Sequence, residues 1–373
     1  MSGLPPAPKG FLDAVGGQPM ARAVADAYVR ATELAWADPI RLHHRGRQSA
    51  LFLDTARASL ATSIGGATGV ALGAEQVFFA PNMRLAAQWV AQGFLGKARF
   101  AASAIESLAL IDGVSQCDPA LLMLPVDEHG FADESAVAAL GPAEAFVLAM
   151  QAGNIEIGTQ QDLGSYAAAG HRLLVDASQC LGRMEIPHWS VLLAPAADWG
   201  GPAGLVVIAV QPTARWSCPL EATSGWISGR VDVPAVVAAA TAAELMLPEA
   251  KAQAAQQFAL TERLRTSIRA AIPDVTFAGD QHRRLPHILN CSILYVSGEA
   301  LVLGLDRRGF AVASGSACVA DSDRASHVLA AIGGFTGGNL RLSLPLDCTE
   351  ETADDFVDAL VEVVKELRAG TGM

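Results

Sequence analysis

The stretch from residue 172 to residue 210 reads RLLVDASQCLGRMEIPHWSVLLAPAADWGGPAGLVVIAV. It contains three short apolar runs of strand length, Arg172–Ser178, Val191–Pro195 and Gly204–Val210. Several of these runs are apolar on both faces, which is typical of strands in a sheet that helices cover on both sides. We therefore predict that this stretch supplies strands to one covered sheet.

The same alternation extends toward the N-terminus. Amphipathic stretches such as Leu51–Ile64 and Arg84–Phe94 have the period of helices and lie between further strand candidates. This order predicts an α/β fold whose large domain has a mostly parallel, seven-stranded sheet covered by helices. The other four strand candidates are Val77–Ala80, Arg99–Ser103, Leu121–Val126 and Ala145–Gln151.

An alanine-rich segment, Val233–Ile272, follows the predicted sheet and contains Pro248 near its middle. Because an interior proline costs a helix about 3 kcal/mol, we predict two helices with a break there. The break predicts a large domain over residues 11–248 and a smaller α/β domain made of residues 1–10 and 249–373. Its strand and helix candidates are Ile288–Leu294, Phe310–Ser314, Leu340–Leu344, Gly298–Arg308 and Glu350–Arg368.

Composition excludes several classes of function. The 373 residues carry a net charge of −12, and such an acidic chain is repelled by nucleic-acid phosphates and anionic membranes. The six cysteines are scattered, without CxxC pairs or the density of a disulfide scaffold. The N-terminal residues do not have the pattern of a secretory signal, so we expect a cytoplasmic protein that does not bind membranes or nucleic acid.

The strongest local signal is Ser314-Gly315-Ser316-Ala317-Cys318, followed by Ser326-His327-Val328-Leu329 and then Arg341-Leu342-Ser343-Leu344. Glycine and small residues ahead of a cysteine favour an accessible thiol, which nearby donors can convert to a nucleophilic thiolate. A single cysteine is more often a buried apolar residue, and only the order of the three motifs favours a reactive one.

The three motifs resemble the C-terminal part of the cysteine desulfurases, which belong to the class V aminotransferase group of fold-type-I pyridoxal phosphate (PLP) enzymes. The resemblance covers nearly the whole chain. It implies a homodimer and a cofactor site in the large domain. The other matching segments, in chain order, are Phe11–Asp13, Asp38–Gly46, Ser103–Glu106, Leu124–Gly130, Glu156–Thr159, Val175–Gln179 and Gly201–Gly204.

The resemblance assigns cofactor roles to three positions. Asp176 matches the aspartate that keeps the pyridine nitrogen protonated, and Gln179 matches the glutamine that bonds the phenolic oxygen. The lysine that forms the Schiff base is expected just ahead of the Gly-Pro turn, where this chain has Asp198. Carboxylates form no imine, so no bound PLP is expected, although non-covalent binding at Asp176 stays an alternative.

Four other cofactor positions differ from the pattern of the family. The small residues of the phosphate loop correspond to a segment that contains Arg84, and the histidine that stacks on the ring corresponds to Ser107. The second asparagine of the Asn-Asn pair is Ile155, and the Ser-Gly-Thr segment contributed by the partner subunit ends here at Arg230. Together these changes indicate a scaffold that no longer maintains a PLP site.

Asp176 and Asp198 are both expected near the vacated pocket. Two carboxylates in a poorly solvated site cannot both stay charged without a cation. We therefore expect an ion pair of Asp198 with Arg84 or Arg230, or else that these charges lie on unrelated surfaces. A metal held by the two aspartates is a weaker option, because no histidine stands at ligand spacing beside them.

Three functions follow from the sequence. The first is a desulfurase-like protein without PLP catalysis, acting as a partner or regulator of an active desulfurase or as a sulfur relay through Cys318. The second is a working PLP-dependent cysteine desulfurase, which cleaves cysteine to alanine and an enzyme-bound persulfide and in which another group replaces the lost lysine; the resemblance makes Arg341 the clamp for the carboxylate of substrate cysteine. The third is an enzyme with new chemistry in the remodelled pocket, using Asp176, Asp198 and Cys318.

Overall fold

The computed structural model describes residues 7–96, 98–219, 230–315 and 326–370. Its first sheet has seven strands in the order β1-β7-β6-β5-β4-β2-β3. Strands β2 to β6 run parallel to their neighbours within that group, and β7 is antiparallel to both β1 and β6. The strands are β1 Val77–Ala80, β2 Arg99–Ser103, β3 Leu122–Leu124, β4 Phe146–Gln151, β5 Arg172–Asp176, β6 Val191–Pro195 and β7 Val206–Val210.

This sheet confirms the predicted α/β class and the mostly parallel, seven-stranded arrangement. The residues of β6 show why it is apolar on both faces. Leu192 and Ala194 join one hydrophobic cluster, whereas Val191 and Leu193 join another on the opposite face. Side chains of a strand alternate between faces, so a strand covered on both sides needs apolar residues at every position.

Ten α-helices are present among the described residues. Side chains cap the first turn of several helices. Those of Asp133 and Asp162, for example, accept hydrogen bonds from backbone N–H groups of the helix that follows them. The helices are α1 Arg22–Leu34, α2 His44–Thr68, α3 Met83–Gly93, α4 Leu108–Ser115, α5 Glu134–Ala138, α6 Leu163–Ala168, α7 Val233–Ala271, α8 Gly298–Asp306, α9 His327–Ala331 and α10 Glu350–Gly370.

Helix α7 corrects the prediction of two shorter helices. It runs for 39 residues through Pro248 without a break. Pro248 is exposed, while Leu247 and Ala250 on either side are buried in the core. Burial along both halves of the helix compensates for the backbone hydrogen bond that proline cannot make. The domain boundary inferred from the break remains a prediction.

The second sheet is small and antiparallel, in the order β10-β9-β8. Its strands are β8 Val275–Ala278, β9 Ile288–Ile293 and β10 Asn339–Ser343. The sequence predicted β9 and β10 but not β8. The expected strand at 310–314 is absent: Ala311 and Ala313 each form only an isolated bridge, to Phe11 and Arg341 respectively.

Helix α7 packs in two hydrophobic clusters. Its N-terminal part, as far as Ala250, packs with α1, α2 and the first sheet. Its C-terminal part, from Leu260, packs with α8, α10 and the second sheet. By length and hydropathy, α7 alone among the described helices could cross a membrane, yet 61% of its most apolar window is buried inside the protein, as in a core helix.

Candidate functional site

Two parallel strands bring the predicted site residues to one edge of the first sheet. β5 ends at Asp176, and the turn after it contains Gln179. The neighbouring β6 continues into a short 3-10 helix, Ala196–Trp199, which contains Asp198. Because β5 and β6 are parallel, their carboxyl ends lie side by side, and Asp198 reaches Gln179.

Asp198 is held by one neighbour. The backbone N–H of Gln179 donates to Oδ2 of Asp198 and its side-chain Nε2 donates to Oδ1, each over 2.8 Å. Gln179 has a positive φ of 61°, a conformation that costs a residue with a Cβ atom about 1–2 kcal/mol. Hydrogen bonds to a charged group contribute about 1.5–3 kcal/mol each, which offsets that cost. The hydrogen bonds to Asp198 therefore stabilise the unusual backbone conformation of the turn after β5.

The network continues to a histidine that the sequence did not indicate. Gln179 uses its Nε2 on Asp198, so its Oε1 accepts from Nε2 of His287 over 3.3 Å. His287 is fully buried, and burial together with nearby arginines lowers its pKa well below the usual value. The ring is therefore neutral, with its proton on Nε2. His287 lies immediately before β9, so its hydrogen bond to Gln179 connects the second sheet to the Asp198 site.

The charge of Asp198 is poorly solvated. Burial raises its pKa from 3.8 to about 6, against the opposing effects of the Gln179 hydrogen bonds and of Arg183. Arg183 is 7% exposed, and its Nη1 donates over 3.4 Å to the carbonyl oxygens of Gln179 and Asp198. The sequence analysis missed Arg183, which no motif marks. The only indication of Arg183 in the sequence is that it lies four residues after Gln179.

The predicted ion pair of Asp198 with Arg84 or Arg230 is wrong. Arg84 is exposed in the first turn of α3. Arg230 is also exposed, and its Nη2 donates to the carbonyl oxygen of Trp36 over 2.8 Å. Both guanidinium groups stay hydrated in these positions, which avoids the desolvation cost of a buried pair. Within the described ranges, Arg183 is the cation that lowers the pKa of Asp198.

Asp176 is buried beside Ser107. The hydroxyl of Ser107 donates to Oδ2 of Asp176 over 3.3 Å, and the backbone N–H of Ser178 donates to Oδ1 over 2.8 Å. Burial raises the pKa of Asp176, while both serines lower it. Ser107 Oγ also caps α4 by accepting from the N–H of Leu110. Ser107, at the position of the ring-stacking histidine, thus hydrogen-bonds to Asp176 and caps the start of α4.

Ile155 lies partly buried in a turn that Asn154 holds. The side-chain oxygen of Asn154 accepts from the backbone N–H groups of Glu156 and Ile157, each over 2.9 Å, and its Nδ2 donates to the carbonyl oxygen of Ile105. Ile155 therefore puts an apolar residue in this turn, where the resemblance expects an amide.

A third buried carboxyl, that of Glu106, lies close to Asp176. Glu106 is fully buried, and burial raises its pKa well above the usual value. Its Oε1 accepts from the backbone N–H of Gln151 over 2.6 Å. The carbonyl oxygen of Glu106 accepts from Nε2 of His327 over 2.9 Å.

The two ends of the cysteine loop are fixed near these residues. Cys318 itself lies outside the described residues. Before it, the N–H of Gly315 donates to Oδ1 of Asn339 over 2.9 Å, and after it α9 begins at His327. The predicted carboxylate clamp, Arg341, donates through Nη2 to Oδ1 of Asp13 over 2.8 Å. Arg341 therefore already has a carboxylate partner within the chain.

The start of α3 is where the resemblance places the phosphate loop. The N–H of Leu85 donates to Oδ1 of Asn82 over 2.9 Å, so the helix supplies its own cap. A self-capped helix start has one backbone donor fewer to offer to a bound phosphate.

No described lysine belongs to this site. Lys9 pairs with Glu351 and Asp355 at the surface, Lys251 lies on α7 and Lys365 on α10. Lys97 is not among the described residues. In that same part of the chain, no group of three or more histidine, cysteine, aspartate or glutamate side chains is placed to hold a metal ion.

The large covered sheet, the small antiparallel sheet and the buried aspartate at the end of β5 define a fold-type-I PLP-transferase architecture. The chain belongs to the aminotransferase class-V family, whose model matches residues 11–356, and its relatives in that family are cysteine desulfurases.

Two relatives illustrate the likeness in sequence. Cysteine desulfurase IscS of Dictyoglomus turgidum is 24% identical over 96% of this chain and 95% of the relative. A cysteine desulfurase of a Nostoc species is 32% identical over 66% of this chain and 65% of the relative.

Solved structures show the same fold. A NifS-like protein superposes with a TM-score of 0.82 at 21% identity, over 96% of this chain and all of the other. The NifS-like protein of Rickettsia africae gives a TM-score of 0.81 at 19% identity, over 95% and 99% of the two chains.

Proposed function

We propose that this protein is a member of the cysteine desulfurase family that has lost PLP-dependent catalysis and acts in sulfur transfer by binding. The observation that carries the proposal is Asp198, which stands where the resemblance places the Schiff-base lysine. Both of its carboxylate oxygens accept hydrogen bonds from Gln179. A carboxylate offers no amine for an imine, and it occupies the glutamine that would otherwise bond the phenolic oxygen of the ring.

Other contacts support the same proposal. Ser107 bonds Asp176 where a stacking ring is expected, and Asn82 caps the helix start that would face a phosphate. Arg341 is paired with Asp13 instead of being free to clamp a substrate carboxylate. The residues around the site therefore do not fit a covalently held PLP, and we assign no catalytic step to that cofactor.

Sulfur would reach this protein through Cys318. In the proposed step, the Cys318 thiolate attacks the outer sulfur of a persulfide on an active desulfurase. The S–S bond of the donor breaks, the donor cysteine leaves as a thiolate, and Cys318 becomes the persulfide. Transfer of this kind requires contact between two proteins, so the proposed partner is a PLP-competent desulfurase. We further propose a cytoplasmic homodimer.

Absorption spectroscopy tests the loss of PLP chemistry. The purified protein is incubated with PLP and freed of excess cofactor, and its visible spectrum is recorded before and after cysteine is added. A separate sample without cysteine is reduced with borohydride and weighed by mass spectrometry. A desulfurase that retains the lysine is treated in parallel. We expect no visible band and no added mass for this protein. A stable band that shifts when cysteine is added would instead identify an active desulfurase.

Persulfide transfer tests the relay. The protein is mixed with an active desulfurase and cysteine, and persulfides are labelled with an alkylating reagent and located by mass spectrometry. We expect label on Cys318, and none in the Cys318→Ser variant. The buried thiol of Cys291, whose pKa burial raises to about 12, serves as an internal control that stays unlabelled. No label on Cys318 would contradict the relay.

A further inference from the structure

A separate cavity of about 410 Å³ lies between α2, α7 and the turn after β5. Its wall is mainly apolar, with Ala67 from α2 and Leu247 and Pro248 from α7. Arg183 and Lys251 also line it. Ligand sites in proteins are commonly apolar cavities of this size with a few convergent polar groups. Neither the family resemblance nor the proposed function assigns a role to this cavity.

Arg183 is an incompletely satisfied cation in the wall of the cavity. It is 7% exposed, yet its two hydrogen bonds to carbonyl oxygens are long, at 3.4 Å. Its buried Nε has no hydrogen-bond partner among the described residues. Leaving a charged donor buried and unpaired costs more than the net value of an ordinary hydrogen bond. Burial accordingly lowers the pKa of Arg183.

We propose that this cavity binds a small organic carboxylate with an apolar body. The carboxylate of the ligand accepts hydrogen bonds from the Arg183 guanidinium, which suits planar, paired recognition of two oxygens. Lys251 adds a second positive charge from the next helix. The apolar part of the ligand packs against Ala67, Leu247 and Pro248, where removing its surface from water favours binding.

The charges around the cavity limit the charge that its ligand can carry. Glu185 and Glu244 also line it, so its two cations are balanced by two carboxylates. Glu244 accepts a hydrogen bond from the hydroxyl of Ser59. Repulsion from these glutamates is stronger for a ligand with two negative charges, whereas a neutral ligand gains no attraction from Arg183 or Lys251.

The cavity is distinct from the Asp198 site. A much smaller space, lined by Asp198 and Trp199, shares Arg183 and Leu247 with it. Arg183 therefore stands as the partition between the two.

Calorimetry with matched probes tests the proposal on the full-length protein. The probes are 4-phenylbutanoate, the neutral 4-phenyl-1-butanol and the cationic 4-phenylbutylammonium, which share one apolar body. We expect the carboxylate to bind at least tenfold more tightly than either of the others. Equal affinity for the alcohol would overturn the proposal, because the charge of Arg183 would then play no part.

Variants separate binding from folding. Gly66 of α2 lines the cavity, and a Cβ added there meets nothing within 4 Å, so Gly66→Leu is chosen to place a larger apolar side chain in this space. We expect Gly66→Leu and Arg183→Met to reduce carboxylate affinity at least tenfold, and Lys251→Met to reduce it about threefold. Lys365→Met, on the distant helix α10, is the matched control and should bind like the wild type. Undiminished binding by Gly66→Leu would place the ligand elsewhere.

Discussion

Asp198 and Gln179 form a closed pair, in which the backbone and the side chain of one residue together satisfy both carboxylate oxygens of the other. Asp198 cannot form a Schiff base, but in this pair it stabilises the turn that contains Gln179. It also leads to a prediction about pH.

The stability of the protein should depend on the protonation of Asp198. Burial raises its pKa in the folded protein from 3.8 to about 6, so the folded state binds this proton more tightly than the unfolded state. The resulting stabilisation is complete only well below about pH 4 and is lost as the pH rises through 6. Two pKa units correspond to about 3 kcal/mol.

Urea unfolding of the wild type and of Asp198→Asn between pH 4 and pH 7 measures this effect. Subtracting the two removes the contribution of all other carboxyls. Relative to the variant, the wild type should lose about 2 kcal/mol over that range, because part of the full effect lies below pH 4. A difference that stays constant with pH would show that Asp198 is not desolvated.

Pro248→Ala should stabilise the protein by about 2 kcal/mol. Alanine supplies the missing N–H within α7 and removes the ring clash, a gain of about 3 kcal/mol, and loses up to about 1 kcal/mol because its unfolded chain is freer. The control is Pro234→Ala in the first turn of the same helix, where no N–H partner exists. If both variants unfold at the same urea concentration, the helix is already relaxed around Pro248.

Tyr295 should show the cost of a left-handed backbone. It has a φ of 65° and is 58% exposed, so its side chain contributes little packing. Tyr295→Gly should be more stable than Tyr295→Ala by about 1 kcal/mol, because only glycine relieves the strain while both remove the ring. Thermal unfolding of the two variants makes the comparison. The opposite ranking would mean that the turn relaxes in the alanine variant.

Restoring a lysine should not restore activity. In Asp198→Lys the new amine loses both hydrogen bonds to Gln179 and meets the buried charge of Arg183, while Ser107 and the capped start of α3 remain. We expect no release of alanine from cysteine in the presence of PLP. A desulfurase with its own lysine serves as the positive control. Measurable turnover by this single variant would show that the other differences do not prevent PLP chemistry.

Much of the fold could be predicted because its strands are buried on both faces. β1, β2 and β6 begin and end where the apolar runs do. β8 escaped notice because it has four residues, of which only Val275 is buried. Pro248 was misleading since intrinsic helix preference is outweighed by packing along both halves of α7.

The site was harder to predict than the fold. Motif order led to Asp176, Gln179 and Asp198, which the structure brings together. It could not lead to Arg183 or His287, because their roles depend on a turn and on a second sheet that meet only in space. The predicted pairing of Asp198 with Arg84 or Arg230 was wrong because the position of a charged residue near a motif does not determine where its side chain points.

The continuity of α7 has a mechanical consequence. The helix is about 58 Å long, and it changes from one hydrophobic cluster to the other between Ala250 and Leu260. Any rocking of the second sheet against the first must flex this rod. A helix bends most easily where a backbone hydrogen bond is missing. In α7 this is at Pro248, just before the helix passes from one hydrophobic cluster to the other. We therefore expect any movement of one half of the molecule against the other to bend α7 at Pro248.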